Sequence, residues 1–392
     1  MNAHTMQELK QFQAMPLEVK VMMSKVRIRD WVQYYGRDGV YVSFSGGKDS
    51  TVLLHLVREL YPDIPAVFVD TGLEYPEIRE FVKTFDNVDW IKPKMTFKQV
   101  IEKYGYPFIS KEVSECVFGA RKYLTQLTAN GTILQTDRQT DRQTDRHILI
   151  DTINCADLVH TLVKKMENRE GGANERLLIL LGKLPPKTNK TEITPDRSLY
   201  NQEKYKFFLE APFEISNKCC NVMKKAPAHK YGKETGRMPI LATMTEESRL
   251  RTQKWLQNGC NGFDMKSPVS TPMAFWTEQD VLRYIKENNI SICSVYGDII
   301  PDSGEEIEGQ MEIADLGIAK DVRPLKTTGC DRTGCMFCGF GCHLNNDDRF
   351  SRMKETHPKI YDYIMRSKEE GGLNYKEVID WINEHGNLHI RY

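Results

Sequence analysis

The run from Val40 to Leu60 constrains the fold more than any other part of this sequence. Val40 to Phe44 is short, apolar, and rich in β-branched and aromatic residues, which predicts a buried strand. Ser45-Gly46-Gly47-Lys48-Asp49-Ser50 then turns the chain, and Val52, Leu53, Leu54, Leu56, Val57 and Leu60 predict a helix over Thr51 to Leu60. Two glycines let the backbone turn tightly and come close to a ligand. A helix that opens directly from such a turn offers free N–H groups and its positive dipole end to an anion. The hydroxyls of Ser45, Ser50 and Thr51 add donors, and Lys48 adds charge. Asp49 suits Mg²⁺ held by phosphates. Ser43 at the strand end completes the phosphate-binding set. The spacing is neither Gly-x4-Gly-Lys-[Ser/Thr] nor Gly-x-Gly-x-x-Gly.

The flanking segments place this unit in a sheet. Leu17 to Tyr35 has helical spacing and is ended by Gly36 and Gly39. Pro65 to Val69 predicts a second strand, Glu77 to Phe85 a helix, Val88 to Ile91 a third strand, and Met238 to Met244 a later one. Strands alternating with helices imply an α/β fold, a parallel twisted sheet flanked by helices with right-handed crossovers. Five segments are expected: a nucleotide-binding α/β part over 1–118, a polar insertion over 119–205, a continuation of the α/β part over 206–300, an acidic and Cys-rich stretch over 301–345, and a helical tail over 346–392. The insertion carries Gln-Thr-Asp-Arg three times in tandem from Gln135 to Arg146. Its period is far below the ~20–50 residues of a solenoid, so it is expected to be a tolerated polar tract. A four-base DNA repeat can encode it, which leaves length variation and on–off expression as the alternative. Glu167 to Ala173 and Pro185 to Asp196 are expected to be loops.

Charge narrows the partners. Lys+Arg and Asp+Glu are both 54, so the formal net charge is zero, which counts against unaided binding to duplex nucleic acid. The balance is uneven along the chain. Lys218 to Lys254 is basic and is expected to serve an anion site, whereas Asp298 to Ala319 is acidic and expected to be a solvated face. No apolar run approaches the ~20 residues of a membrane span, and Met1 to Lys20 lacks a signal-peptide core. A cytoplasmic protein with no membrane partner is expected.

Ten cysteines in that compartment point away from structural disulfides and towards metal binding or catalysis. Cys116, Cys155, Cys260 and Cys293 are isolated and expected to be small buried hydrophobes. Cys330-x4-Cys335-x2-Cys338-x3-Cys342-His343 is a metal signal. Its ligand number suits tetrahedral zinc, and its spacing also occurs in plant-type iron–sulfur proteins. The fold class therefore includes a Cys-rich metal-binding C-terminal region.

The hexapeptide Ser45 to Ser50, in its strand–helix setting, resembles the PP-loop of the ATP-pyrophosphatase superfamily, which implies an adenine-nucleotide alpha-hydrolase-like sheet. Val69-Asp70-Thr71-Gly72-Leu73-Glu74-Tyr75-Pro76-Glu77 resembles the matching segment of the phosphoadenosine-phosphosulfate (PAPS) reductase family. The resemblance implies that Asp70 and Thr71 face the crevice at the carboxyl ends of the strands; the alternative is a helix cap by Thr71 and Glu74. Lys218-Cys219-Cys220 with Lys224-Lys225, and Thr333-Gly334-Cys335-Met336-Phe337-Cys338, resemble the two halves of the [4Fe–4S] motif of assimilatory adenylyl-sulfate reductases. Asp347 to Arg352 is similar to the acidic-Arg-x-x-Arg stretch that follows. Cys219, Cys220, Cys335 and Cys338 are thus the implied cluster ligands, with Cys330, Cys342 and His343 completing the alternative zinc or iron–sulfur set. Cys330 and Cys342 are then candidate sulfur-carrying thiols. Glu247 to Arg251 and Trp276 to Val281 also match the family. Arg249 and Arg251 suit bidentate clamping of a phosphate or sulfate. Trp276 and Val281 are equally core residues, and Thr277 with Asp280 forms a capping box.

The chain departs from the reductases at its tail. Asn383-Glu384-His385-Gly386-Asn387-Leu388-His389 is similar to the family's Glu-Cys-Gly-x-His but has His385 at the cysteine, and no cysteine follows Cys342. Imidazole cannot undertake the thiol exchange of reductive turnover, which leaves Cys342 as the substitute. The resemblance then extends to ATP-dependent sulfurtransferases. It implies an adenylating enzyme using ATP or an adenylyl sulfate-type nucleotide, Mg²⁺ and a [4Fe–4S] cluster (alternatively Zn²⁺), with Lys48, Asp49, Arg249 and Arg251 catalytic. The implied setting includes nucleic-acid sulfur modification or defence, the acceptor being a nucleic acid delivered by a partner protein or a small molecule. The alternatives are a sulfonucleotide reductase and a non-catalytic nucleotide- and metal-sensing module.

Overall fold

The computed structural model of the protein describes residues 4–129, 172–182, 201–302, 323–344 and 347–392. The Gln-Thr-Asp-Arg tract, Cys155, the Pro185–Asp196 segment and most of the acidic run lie outside them. The chain divides into two compact units. The first comprises Met1–Lys94 and Met223–Cys335; the second comprises Met95–Val222 and Met336–Tyr392.

The first unit is built on a six-stranded sheet. Its strands are β1 (Val40–Ser43), β2 (Ala66–Val69), β3 (Val88–Ile91), β4 (Met238–Ile240), β5 (Asn261–Gly262) and β6 (Val269–Ser270), in the order β3-β2-β1-β4-β6-β5. Every pairing is parallel except β5 with β6. Val42 pairs with Ala66 and Ile240, and Ala66 pairs with Val88. The predicted parallel sheet is therefore observed, with each predicted strand present within a few residues of its expected ends. Met238–Met244 is the shortest relative to expectation: it leaves the sheet after Ile240.

Helices flank this sheet. Leu17–Tyr35 ends as expected at Gly36, whose φ of 78° favours glycine. The Lys48–Leu60 helix begins three residues before the predicted Thr51, because Gly47 takes the extended N-cap conformation. Val42, Phe44, Val52, Leu53, Leu56, Phe68, Trp31 and Trp276 share one buried core. Each such side chain contributes about 1.5–3 kcal/mol on burial. Thr277 caps the Glu278–Glu287 helix in the predicted capping box with Asp280. Asp280 also accepts from the buried Lys20 ammonium at 2.6 Å, which anchors the Leu17–Tyr35 helix to that cap.

The second unit is mostly helical. Strand Phe108–Ile109 pairs in parallel with Gly339–Phe340, and a Cβ on Gly339 would meet the Phe108 ring at 2.4 Å. Tyr106, Phe108, Phe350 and Tyr375 form an aromatic core. The Tyr375 hydroxyl donates to the Phe337 carbonyl at 2.6 Å. Gly172 and Ala173 were expected in a loop but open the Gly172–Leu180 helix, whose Leu177, Leu178 and Leu180 are buried; burial of that face overrides the polar lead-in. Cys116, Cys260 and Cys293 are buried as expected. No helix among the described residues is long and apolar enough to cross a membrane.

Candidate functional site

The Gly-rich turn lies at the carboxyl end of β1, where an open parallel sheet holds its ligands. Gly46 has φ 72°, and a Cβ there would come within 2.7 Å of Val82 and 2.8 Å of Ile78. Only glycine fits. The turn is cross-braced: the Ser45 amide donates to Ser50 Oγ at 3.2 Å, and the Ser50 and Thr51 hydroxyls donate to the Gly47 carbonyl at 2.9 and 3.0 Å. Gly47 brings no side-chain cap to the helix it opens.

A cavity of about 300 Å³ opens beside the turn within the first unit. The ends of β1, β2 and β4 form its floor through Ser43, Val69 and Leu241, and Tyr75 forms part of the wall. Lys224, Lys225 and His229 line it together with Glu74, whose Oε1 lies 4.0 Å from the Lys224 ammonium. Apolar walls with a few polar groups suit a heterocycle with an anionic tail.

Lys48 is almost fully buried. Its ammonium lies 3.0 Å from Glu278 Oε1 and 3.6 Å from Asp49 Oδ1, and it donates to the Asp331 carbonyl at 2.9 Å. Burial opposes its charge, but Asp49 and Glu278 outweigh burial and hold its pKa above the ordinary value. Asp49 is pushed up by burial, with Glu247 and Glu278 adding and Lys48 and Arg332 opposing. Its Oδ1 is buried with no hydrogen-bond partner among the described residues. Asp70 is buried and accepts from Arg79 Nη2 at 2.9 Å on one oxygen; its other oxygen is also buried without such a partner. Thr71 donates to Glu74 through both its amide and its hydroxyl. That pairing closes a turn ahead of the Pro76–Lys83 helix, whose N-cap is Tyr75.

Arg251 pairs with Glu247, and Arg332 lies 3.9 Å from the same carboxylate. Arg249 is exposed at the start of its helix. The turn, Asp70 and Thr71 thus belong to one unit with Arg249 and Arg251, and Glu247 links Arg251 to the surroundings of Asp49. Sequence reasoning missed Tyr296, Thr333, Asp331 and Glu278. The Lys48 amide donates to Tyr296 Oη at 3.1 Å, and that oxygen is 2.6 Å from Thr333 Oγ1. All four are ordinary types more than two hundred positions from the turn; Glu278 and Thr333 lie in segments singled out above, but nothing in those segments assigns them to the turn.

The second unit holds Cys219, Cys220, Cys338 and Cys342. Cys220 opens a π-helical turn, Cys220–Lys225, a form frequent at functional sites. Burial pushes the Cys338 thiol up, with Cys220 adding and Arg349 opposing. Tyr375 lies within electrostatic reach of Cys338, Cys219 and Cys342. Arg349 donates to the Cys338 carbonyl at 2.6 Å and to Asp347 Oδ1 at 2.8 Å. Cys342 is buried, donates to the Gly339 carbonyl at 2.8 Å, and is pushed far up by burial. His343 has a buried Nδ1 with no hydrogen-bond partner among the described residues, and burial lowers its pKa. In the first unit the Cys330 thiol lies 3.8 Å from Tyr75 Oη; Cys335 closes that unit. Among the described residues no group of three or more His, Cys, Asp or Glu is arranged to hold a metal ion. Among the described residues, the expected Cys-rich metal region is therefore not observed as a formed site.

Short segments of the chain are similar to known proteins. It is 43% identical over 54 residues to a phosphoadenosine 5'-phosphosulfate reductase of Xylella fastidiosa, covering 14% of this chain and 23% of that protein. It is 40% identical over 73 residues to an uncharacterized protein of Methanocaldococcus jannaschii, covering 17% of this chain and 18% of the relative. The matched segments thus span about a fifth of each relative's length. A crystal structure of phosphoadenylyl-sulfate reductase from Candida auris, in a phosphate complex, aligns over 74% of this chain and 91% of that one, with TM-score 0.33 and 11% identity. The family model of the phosphoadenosine phosphosulfate reductase domain matches residues 39–116 and 133–339. That is more than half of the chain, and the chain belongs to this family.

Proposed function

We propose that this protein is a PP-loop enzyme that binds an adenine nucleotide with Mg²⁺ and splits it between the α and β phosphates, adenylating an acceptor that then receives sulfur. The observation that carries this reading is the cavity at the ends of β1, β2 and β4, which runs into the braced Gly-rich turn and has Lys224, Lys225 and His229 along it. The base takes the apolar part, and the phosphates take the turn. Turn amides, Ser45 and Lys48 stabilise the charge that develops on the phosphates, while Ser50 and Thr51 hold the turn in shape through the Gly47 carbonyl. Asp49 and Asp70, each with a buried oxygen lacking a hydrogen-bond donor among the described residues, suit the Mg²⁺ that accompanies the phosphates. Arg249 and Arg251 approach the anion once Arg251 exchanges Glu247 for it.

Cys219, Cys220, Cys335 and Cys338 are the preferred holders of a [4Fe–4S] cluster. The closeness of Cys220 to Cys338, with Arg349 to offset thiolate charge, favours this set. The alternative set is less favoured, because Cys342 already spends its proton on the Gly339 carbonyl. The cluster would supply a site for binding or passing sulfur. The acceptor is a small molecule, or a nucleic acid delivered by a partner protein.

Sulfonucleotide reduction is the second reading, favoured by the relatives of that name. The tail opposes it: His385 stacks on Trp381 at 4.2 Å, with its Nδ1 3.0 Å from the Trp381 carbonyl, and Cys342 is too buried to serve as the nucleophile. Turnover of ATP with Mg²⁺ followed by ³¹P NMR separates the two. AMP and pyrophosphate are expected. Sulfite release from adenylyl sulfate or PAPS, with no pyrophosphate formed from ATP, would overturn the proposal.

A further inference from the structure

The anion turn is already occupied by the chain's own oxygens. The Lys48 amide, the first donor of its helix, gives its proton to Tyr296 Oη at 3.1 Å. That hydroxyl is 2.6 Å from Thr333 Oγ1, and either hydroxyl can donate to the other. A Cβ on Gly47 would lie 3.1 Å from Tyr296 Oη and 3.2 Å from Thr333 Oγ1, so the hydroxyl pair rests directly on the turn. The Asp331 carbonyl holds the Lys48 ammonium at 2.9 Å.

The segment that brings these groups is laced down. The Gly329 amide donates to the Tyr296 carbonyl and the Cys330 amide to the Val295 carbonyl, both at 2.9 Å. A Cβ on Gly329 would lie 2.4 Å from the Val295 carbonyl oxygen, so only glycine lets the two strips meet. Thr327 Oγ1 donates to the Cys330 carbonyl at 3.1 Å. All of these residues belong to the first unit.

We propose that Tyr296 and Thr333 form a polar latch on the phosphate seat, which a phosphate-bearing ligand must displace to reach the Lys48 amide, and which lowers the affinity of the seat until it opens. The proposal rests on reading this turn as the phosphate site. The latch is held by neutral hydrogen bonds, each worth about a two- to tenfold factor in an equilibrium. A phosphate oxygen on the same amide makes a charge-assisted bond, roughly twice as strong. The cost of opening is common to every ligand that takes this amide.

Calorimetric titration with inorganic pyrophosphate and with inorganic phosphate, both with Mg²⁺, tests this on the wild type, Tyr296→Phe and Thr333→Val. The phenylalanine keeps the ring packed beneath the Lys48 ammonium and removes one oxygen; the valine leaves that oxygen but removes its hydroxyl partner. Both variants are expected to bind pyrophosphate and phosphate more tightly, Tyr296→Phe by about two- to tenfold, by a similar factor for each ligand because the cost of opening is common to both. Unchanged or weaker pyrophosphate binding by both variants, with a wild type that binds, would overturn the latch and leave the phosphate site standing. Binding of pyrophosphate by none of the three would overturn both.

Discussion

At the scale of single residues, two positions of the turn can be tested most sharply. Gly46 sits at positive φ against Ile78 and Val82. Gly46→Ala is expected to cost about 1–3 kcal/mol from backbone strain alone and to abolish nucleotide binding; a variant of unchanged melting temperature that still bound would contradict the close packing. Asp49 has its pKa raised, chiefly by burial. The folded chain then holds a proton that the unfolded chain releases, so stability falls as pH rises from about 4 through the raised value. Asp49→Asn is expected to be more stable than wild type at pH 7 to 8, with the gap closing towards pH 4, as thermal melts across that range would show. The glycines, Lys48 and Asp49 were legible in the sequence because their chemistry is local. Lys48's partners were not: Glu278 and Asp331 are unremarkable residue types brought to it by tertiary structure. A lysine free to meet a phosphate was expected, and one already shared between two carboxylates and a carbonyl is observed.

At the scale of elements, periodicity predicted the Leu17–Tyr35 helix and the β3 strand to the residue, since both have clear apolar spacing and glycine or turn punctuation. It placed the start of the Lys48–Leu60 helix late, because the first helical residues are the polar ones of the turn. The early start matters for function: it brings the first helical amide, that of Lys48, into the turn itself. The Glu278–Glu287 helix presents Glu278 to Lys48 one residue after its Thr277 cap, and Asp280 of that capping box is held by Lys20. Lys20 therefore acts as a positioning residue for the turn. Lys20→Met leaves a buried carboxylate without its cation and is expected to cost about 3–5 kcal/mol in denaturant unfolding. Thr277→Ala removes only the cap and is expected to cost about 1 kcal/mol. Equal costs for the two would contradict the anchoring role of the ion pair.

For the whole molecule, the parallel sheet and the family were both legible, because strand–turn–helix order and the turn hexapeptide are carried by contiguous residues. The division into two units was not, because each is assembled from two separated stretches of chain. The metal question also belongs to this scale, since the cysteines come from both units. Anaerobic purification with iron and labile-sulfide analysis is expected to give an iron–sulfur protein that loses its iron in Cys219→Ser and keeps it in Cys342→Ser. Stoichiometric zinc without iron would remove the cluster from the account. The central claim is narrower: the Gly-rich turn of the first unit is the phosphate cradle of an adenine nucleotide. Amide hydrogen exchange with and without ATP–Mg²⁺ tests it most directly. Slowed exchange concentrated at Ser45 to Thr51, with a second protected stretch at Asp70 to Tyr75, is the predicted result. Unchanged exchange at Ser45 to Thr51 under saturating nucleotide would contradict it.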